Sequence, residues 1–224
     1  MRTLAVVPIK TLSSAKQRLS GALATGARAS LAQAMFSDVL ASLRRSQQVE
    51  AIAVVTADVV ANAVAHGERV TVLPDDRQDG QSAAALIGIR YAAAAGFERA
   101  VLVPGDTPLL DAVELDEMLV RCEADPVAVG VVPDRHGTGT NALVLTPPGV
   151  LEPSFGPGSF NRHLNHAKGA GLSHRAEHVP SLAHDVDTPE DLAAMSDALE
   201  GRRTIAPRTR GALRQLERSG VLVS

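Results

Sequence analysis

Short β-branched runs alternate in this chain with longer stretches of helical spacing, and that alternation restricts the fold more than any other feature. Residues 3–9 (TLAVVPI), 51–57 (AIAVVTA), 70–74 (VTVLP) and 100–104 (AVLVP) read as strands. Residues 28–47, 82–95 and 113–124 read as helices. Strands linked through helices need right-handed crossovers, which place helices on both faces of a parallel sheet. The expected fold class is therefore α/β: three layers, α/β/α, around a mostly parallel, doubly wound sheet. The later part changes grammar. Residues 127–134 (VAVGVVPD) and 141–147 (NALVLTP) flank a polar loop, RHGTGT, and predict a late β-hairpin whose loop can present backbone N–H groups and hydroxyls. A Gly/Pro turn then opens a helix at Ser159, and another helix is expected over residues 189–199. Residues 1–200 are expected to form one domain, with 201–224 a basic tail that is either a final helix or partly disordered.

Composition narrows the function classes. A chain of 224 residues, 45% hydrophobic with few aromatics, builds its core from Val, Ala, Leu and Ile, as a sheet covered on both faces requires. A net charge of −3, with no basic stretch interleaved with aromatics, argues against nucleic acid as a partner. The lone Cys122 excludes an internal disulfide framework and fits a reducing, cytoplasmic setting. No apolar run reaches spanning length, and the start, MRTLAVVPIK, is too short and too soon charged for a signal peptide, so no membrane association is expected. A monomer or a homodimer is consistent with all of this.

Three segments carry chemistry. The strand AVLVP runs into Gly105 and stops at Asp106. Ligands of open α/β sheets gather at the carboxyl ends of strands, and a carboxylate there suits a divalent cation carrying phosphates. A Gly-Asp at this place also serves as a turn or a helix cap. Downstream, HDVDTPEDL holds Asp185 and Asp187, two apart and so on one face of an extended segment. Thr188 as an N-cap, Pro189 as the first helical residue, and Glu190 and Asp191 in the first turn account for the rest of that acidity, leaving Asp185 and Asp187 unexplained. The first strand leads into neither a dinucleotide fingerprint nor a P-loop but into PIKTLSSAKQRLS. Its Lys10, Lys16 and Arg18, with Ser13 and Ser14 as hydroxyl donors, form either a solvated basic turn or a loop that wraps a triphosphate and neutralises departing pyrophosphate.

Taken together, VVPIKTLSSAKQRLS, LPDDRQDGQSAA, VPGDTPLL, GTGTNAL, FGPGSF and HDVDTPEDL, in that order over residues 6–192, resemble the 2-phospho-L-lactate or phosphoenolpyruvate guanylyltransferases of deazaflavin coenzyme F(420) biosynthesis, which have the nucleotide-diphosphosugar-transferase fold. The resemblance implies an enzyme joining GMP from GTP to a small phosphorylated carboxylic acid, with release of pyrophosphate. It implies Mg²⁺, or Mn²⁺, on Asp106, Asp185 and Asp187, and the triphosphate on Lys10, Lys16 and Arg18. Pro74, Gly80 and Ser82 would line the guanine and ribose pocket, and Thr140, Gly156 and Ser159 would bind the acid's phosphate. The family has an Asn soon after the Gly of the DxG segment, whereas Gly80 is followed here by Gln81 and Ser82. The acid can be phosphoenolpyruvate, 2-phospholactate or 3-phosphoglycerate. Rival readings are a cytidylyltransferase or molybdopterin guanylyltransferase on the same fold, or a non-catalytic nucleotide-binding protein. A zinc site on His163 and His166 lacks a third ligand at suitable spacing. An aspartyl-phosphatase reading of DVDT is set aside because only 36 residues follow Thr188.

Overall fold

The computed structural model describes residues 1–12, 16–202 and 204–218. Seven strands form one sheet: β1 (Thr3–Pro8), β2 (Ala51–Thr56), β3 (Thr71–Pro74), β4 (Arg99–Leu102), β5 (Val129–Pro133), β6 (Thr140–Leu145) and β7 (His174–Ala176), in the order β3-β2-β1-β4-β6-β5-β7. Only β6 opposes its neighbours, pairing antiparallel with β4 and β5, while the other pairings are parallel. That single reversal positions the site. Because β6 runs backwards, its first residue, Thr140, lies at the same sheet edge as the carboxyl ends of β1, β4 and β5.

Alternate β1 residues feed opposite faces. Ala5 and Val7 join one apolar cluster with the helices α1 (Thr25–Leu43), α2 (Val59–Gly67), α4 (Ala112–Ala124), α6 (Pro189–Leu199) and α7 (Pro207–Arg218). Leu4 and Val6 join the other with α3 (Gln81–Ala94) and α5 (Ser159–Gly169). The three-layer α/β/α architecture, mostly parallel sheet and late hairpin agree with the sequence reading. Some elements differ. α1 starts and ends earlier than residues 28–47, α2 was not anticipated, and β7 is a three-residue edge strand, HRA, with too little apolar pattern to be read.

Caps fix the helices as their residues require. Thr188 Oγ1 accepts from the Asp191 N–H at 3.2 Å while Asp191 Oδ2 accepts from the Thr188 N–H at 2.8 Å, a reciprocal capping box with Pro189 next in line. Asp58 and Asp111 cap α2 and α4. In the basic tail, α7 lays Leu213 and Leu216 into the α1-side cluster, and buried Asp38 on α1 accepts the Thr209 N–H at 2.7 Å.

Candidate functional site

Three abutting cavities form one cleft along the sheet edge. A cavity of about 140 Å³ is lined by Lys10, Asp58, Asp75 and Gly80. It shares Ile9, Lys10 and Thr11 with a cavity of about 360 Å³ that adds Lys16, Gln81, Asp106 and Asp187. That one shares Gln81, Pro104, Asp106 and Asp187 with a third of about 410 Å³, lined also by Arg18, Thr140, Asn141, Gly156, Ser159 and Asp185. The lysines line the middle cavity, Asp106 and Asp187 stand where it meets the third, and the third adds Arg18 and further carboxylates to the hydroxyls of Thr140 and Ser159.

Asp106 is carried by the turn after β4. A Cβ on Gly105 would sit 2.1 Å from Ile9 Cδ1, so any larger residue here would force the Ile9 side chain to shift where this turn closes against the loop after β1. The closure brings the Lys16 ammonium between two carboxylates: it pairs with Asp106 and lies 3.1 Å from Asp187 Oδ1. Burial opposes the Lys16 charge, but Asp106 and Asp187 outweigh it and hold the pKa above the ordinary lysine value. Asp185 faces the same space. Burial, reinforced by the negative charges of Asp106 and Asp187, pushes its carboxyl up to about 6 against a hydrogen bond from Asn141 Nδ2 at 3.0 Å. Among the described residues no three His, Cys, Asp or Glu side chains form a ready-made metal cluster. Three hard oxygen donors nonetheless line one cavity and repel one another, an arrangement that suits a divalent cation in company with phosphates.

The predicted basic loop divides. Lys10 and Lys16 line the middle cavity, but Arg18 faces the third. The cause is the 3-10 turn Gln17–Leu19, which points successive side chains about 120° apart. Ser13 and Ser14 lie outside the described residues. Of the residues expected around guanine, Gly80 lines the smallest cavity and opens α3, whose N-terminus has no side-chain cap and so keeps amides for an anion. Pro74 is exposed at the end of β3, and Ser82 Oγ accepts from the Phe155 N–H at 2.9 Å, tying α3 to the turn before α5.

Two local expectations about the third cavity are corrected. The hairpin loop does not offer its amides to a ligand: Asp134 takes them, accepting from the N–H groups of His136 at 3.1 Å, Thr138 at 2.9 Å and Gly139 at 2.9 Å. Nor does Ser159, expected to bind the acid's phosphate, keep its N–H and hydroxyl for that anion. Its N–H closes a turn on the Gly156 carbonyl at 3.0 Å, and its Oγ donates to Thr140 Oγ1 at 3.0 Å. Gly156, at φ 111°, makes that turn possible. Sequence reasoning also missed Asn141, which secures Asp185; Asp134; Arg135, which donates to Asp191 at 2.6 Å and ties the hairpin to α6; and the role of His163, fully buried behind Thr140. Asp134 gathers N–H groups two to five positions on, a local pattern that an Asp opening a Gly-rich loop could have signalled; Asn141, Arg135 and His163 carry no local motif, since their partners are distant in the chain.

A family model described as guanylyl transferase CofC like matches residues 3–216. The chain belongs to this family. Among relatives, a phosphoenolpyruvate guanylyltransferase of Conexibacter woesei is 45% identical over 219 residues, covering 98% of each chain. A 2-phospho-L-lactate guanylyltransferase of Methanothermobacter thermautotrophicus is 31% identical, covering 86% of this chain and 83% of that one. A crystal structure from Desulfovibrio desulfuricans, described as a nucleotide-diphospho-sugar transferase, superposes with a TM-score of 0.77 at 16% identity over 97% of this chain and 96% of that one. That likeness shows the fold, which is the expected nucleotide-diphosphosugar-transferase type. Membership of the family makes the chain a nucleotidyltransferase. No described helix is long and apolar enough to cross a membrane.

Proposed function

We propose that the cleft joins GMP from GTP to the phosphate of a small phospho-acid and releases pyrophosphate. The observation that carries this reading is the sequence of charge within one cleft: Lys10 and Lys16 abut Asp106 and Asp187, which in turn abut the chamber of Thr140, Gly156 and Ser159. A nucleotide laid along it keeps its base near Gly80, its phosphates beside the lysines, and its α-phosphorus at the carboxylates, facing the acid.

Charge then dictates the chemistry. The acceptor phosphate is already an anion near neutral pH and needs no general base; its obstacle is repulsion by the triphosphate it attacks. Lys16 and Lys10 offset that repulsion and the charge gathering on pyrophosphate, while the chamber walls hold the acid in line. One acceptor oxygen bonds to the α-phosphorus as the bond to the β-phosphate bridging oxygen breaks, and pyrophosphate leaves with that electron pair. Asp106, Asp185 and Asp187 would hold Mg²⁺ or Mn²⁺, which when bound supplies charge neutralisation and alignment of the phosphates.

Phosphoenolpyruvate is the preferred acceptor in this reading, because the relative sharing 45% identity is named for it and the one sharing 31% for 2-phospho-L-lactate. The product would enter deazaflavin coenzyme F(420) assembly, as the resemblance implies. A cytoplasmic location fits an enzyme using GTP and carrying a free, buried Cys122. Mass spectrometry of a reaction containing GTP, Mg²⁺ and phosphoenolpyruvate tests the proposal: a GMP adduct of the acid should accumulate one-to-one with pyrophosphate, and guanosine diphosphate as the product would refute it.

A further inference from the structure

Behind the acceptor chamber lies a buried imidazole whose two nitrogens are both engaged. His163, on α5 and fully buried, has Nε2 2.8 Å from the backbone N–H of Ser154 and Nδ1 3.1 Å from Thr140 Oγ1. A backbone amide can only donate, so Nε2 must be the bare nitrogen and a neutral ring must carry its proton on Nδ1. The ring therefore donates to Thr140. Ser159 Oγ donates to the same oxygen from 3.0 Å. With both lone pairs of Thr140 occupied, its own proton is the free end of the chain, and Thr140 lines the third cavity.

We propose that His163 is a positioning residue that, together with Ser159, turns the Thr140 hydroxyl into an obligate donor toward the phospho-acid. This rests on the reading of the third cavity as the acceptor site. A threonine hydroxyl left to itself can rotate and present lone pairs to an incoming anion, which repels; one whose lone pairs are filled can present only its proton. The frame behind the ring is fixed in turn. Arg162 donates to the Ser154 carbonyl from Nη2 at 2.9 Å and to Ser154 Oγ from Nε at 2.7 Å, holding the Ser154 amide against Nε2. Phe155 meets the ring edge-on, with centroids 5.3 Å apart. Burial, and the positive charges of Arg162 and His166, keep the ring neutral by lowering its pKa to about 4.

Two isosteres separate the ring's halves: Asn reproduces the Nδ1 donor and Gln the Nε2 acceptor. His163→Asn should keep the phospho-acid KM within about threefold of wild type, whereas His163→Gln should raise it about tenfold or more, with the GTP KM nearly unchanged in both. Thr140→Val provides the control for the underlying reading and should raise the same constant. Nitrogen-15 NMR of histidine-labelled wild type, with His163 assigned among the seven histidines by its loss in His163→Asn, should show the proton on Nδ1. If Thr140→Val leaves the phospho-acid KM unchanged, the acceptor-site reading fails. If Thr140→Val raises it but His163→Gln does not, or the wild-type ring is protonated on Nε2, the positioning role fails while the site stands. Should His163→Gln not fold, the tautomer in wild type decides alone.

Discussion

Lys16 pairs with Asp106 across 90 positions of sequence, joining the loop after β1 to the turn after β4. The same ammonium reaches Asp187, so one side chain links the basic and acidic halves of the cleft. If that charge balances the leaving pyrophosphate, Lys16→Met lowers kcat on the order of 100-fold as well as weakening GTP binding. Steady-state kinetics at varied GTP check this. A raised KM at unchanged kcat would reduce Lys16 to a binding contact.

The carboxylates act together. Asp106→Asn and Asp187→Asn are each expected to abolish nearly all turnover without unfolding the protein, since both side chains are partly exposed and pack no core. Excess chelator should do the same to wild type. Circular dichroism and pyrophosphate release distinguish loss of activity from loss of fold, and full activity in chelator would remove the metal from the account.

Asp185 should show a conflict between stability and function. Its folded pKa, about 6, lies above the ordinary 3.8, so its contribution to stability is complete below 3.8 and is lost as pH rises through 6. In metal-free protein at pH 7, Asp185→Asn should therefore raise Tm while removing activity. Thermal melts in chelator test this, and a lowered Tm would show that the ionised carboxylate is instead supported in the fold.

Thr140 and Ser159 should separate from the nucleotide site. Thr140→Ala is expected to raise the phospho-acid KM severalfold or more, the loss of about one charge-assisted hydrogen bond, with the GTP KM unchanged. Ser159→Ala should have the smaller effect, because its hydroxyl is spent on Thr140. Equal rises for both substrates would assign these residues to the fold.

His163 sets an acid limit on stability. Folded, it titrates at about 4 instead of an ordinary 6.5, so as pH falls the unfolded chain takes up the proton first. The neutral ring's contribution is complete above 6.5 and lost by about pH 4, at most about 3 kcal/mol over that span. The Tm advantage of wild type over His163→Asn should shrink across this window, and a constant difference would contradict the assignment.

What the sequence made legible was local or periodic. Short, continuous β-branched apolar runs located most of the strands, RHGTGT located the hairpin, and Thr188-Pro189 with Asp191 announced the start of α6 in the detail observed. Contacts between distant positions stayed hidden: Asn141 reaches Asp185 over 44 positions, and no spacing rule links His163 to Thr140. Ser159 shows where a sound local rule misleads. A helix N-terminus offers amides, but here the preceding glycine turn takes the first of them and β6 takes the hydroxyl. Arg18 was drawn from its intended cavity by one 3-10 turn, too short to leave a periodic trace.

In the proposed reaction one cleft brings a guanine nucleotide and a small phospho-acid together across Asp106 and Asp187. Pyrophosphate release measured for GTP, ATP, CTP and UTP against phosphoenolpyruvate, 2-phospholactate and 3-phosphoglycerate, with Mg²⁺ present, tests it most directly. The prediction is release that requires both GTP and one phospho-acid, with phosphoenolpyruvate the most efficient acceptor; release from CTP at equal rate, or from GTP with no acid present, would contradict it.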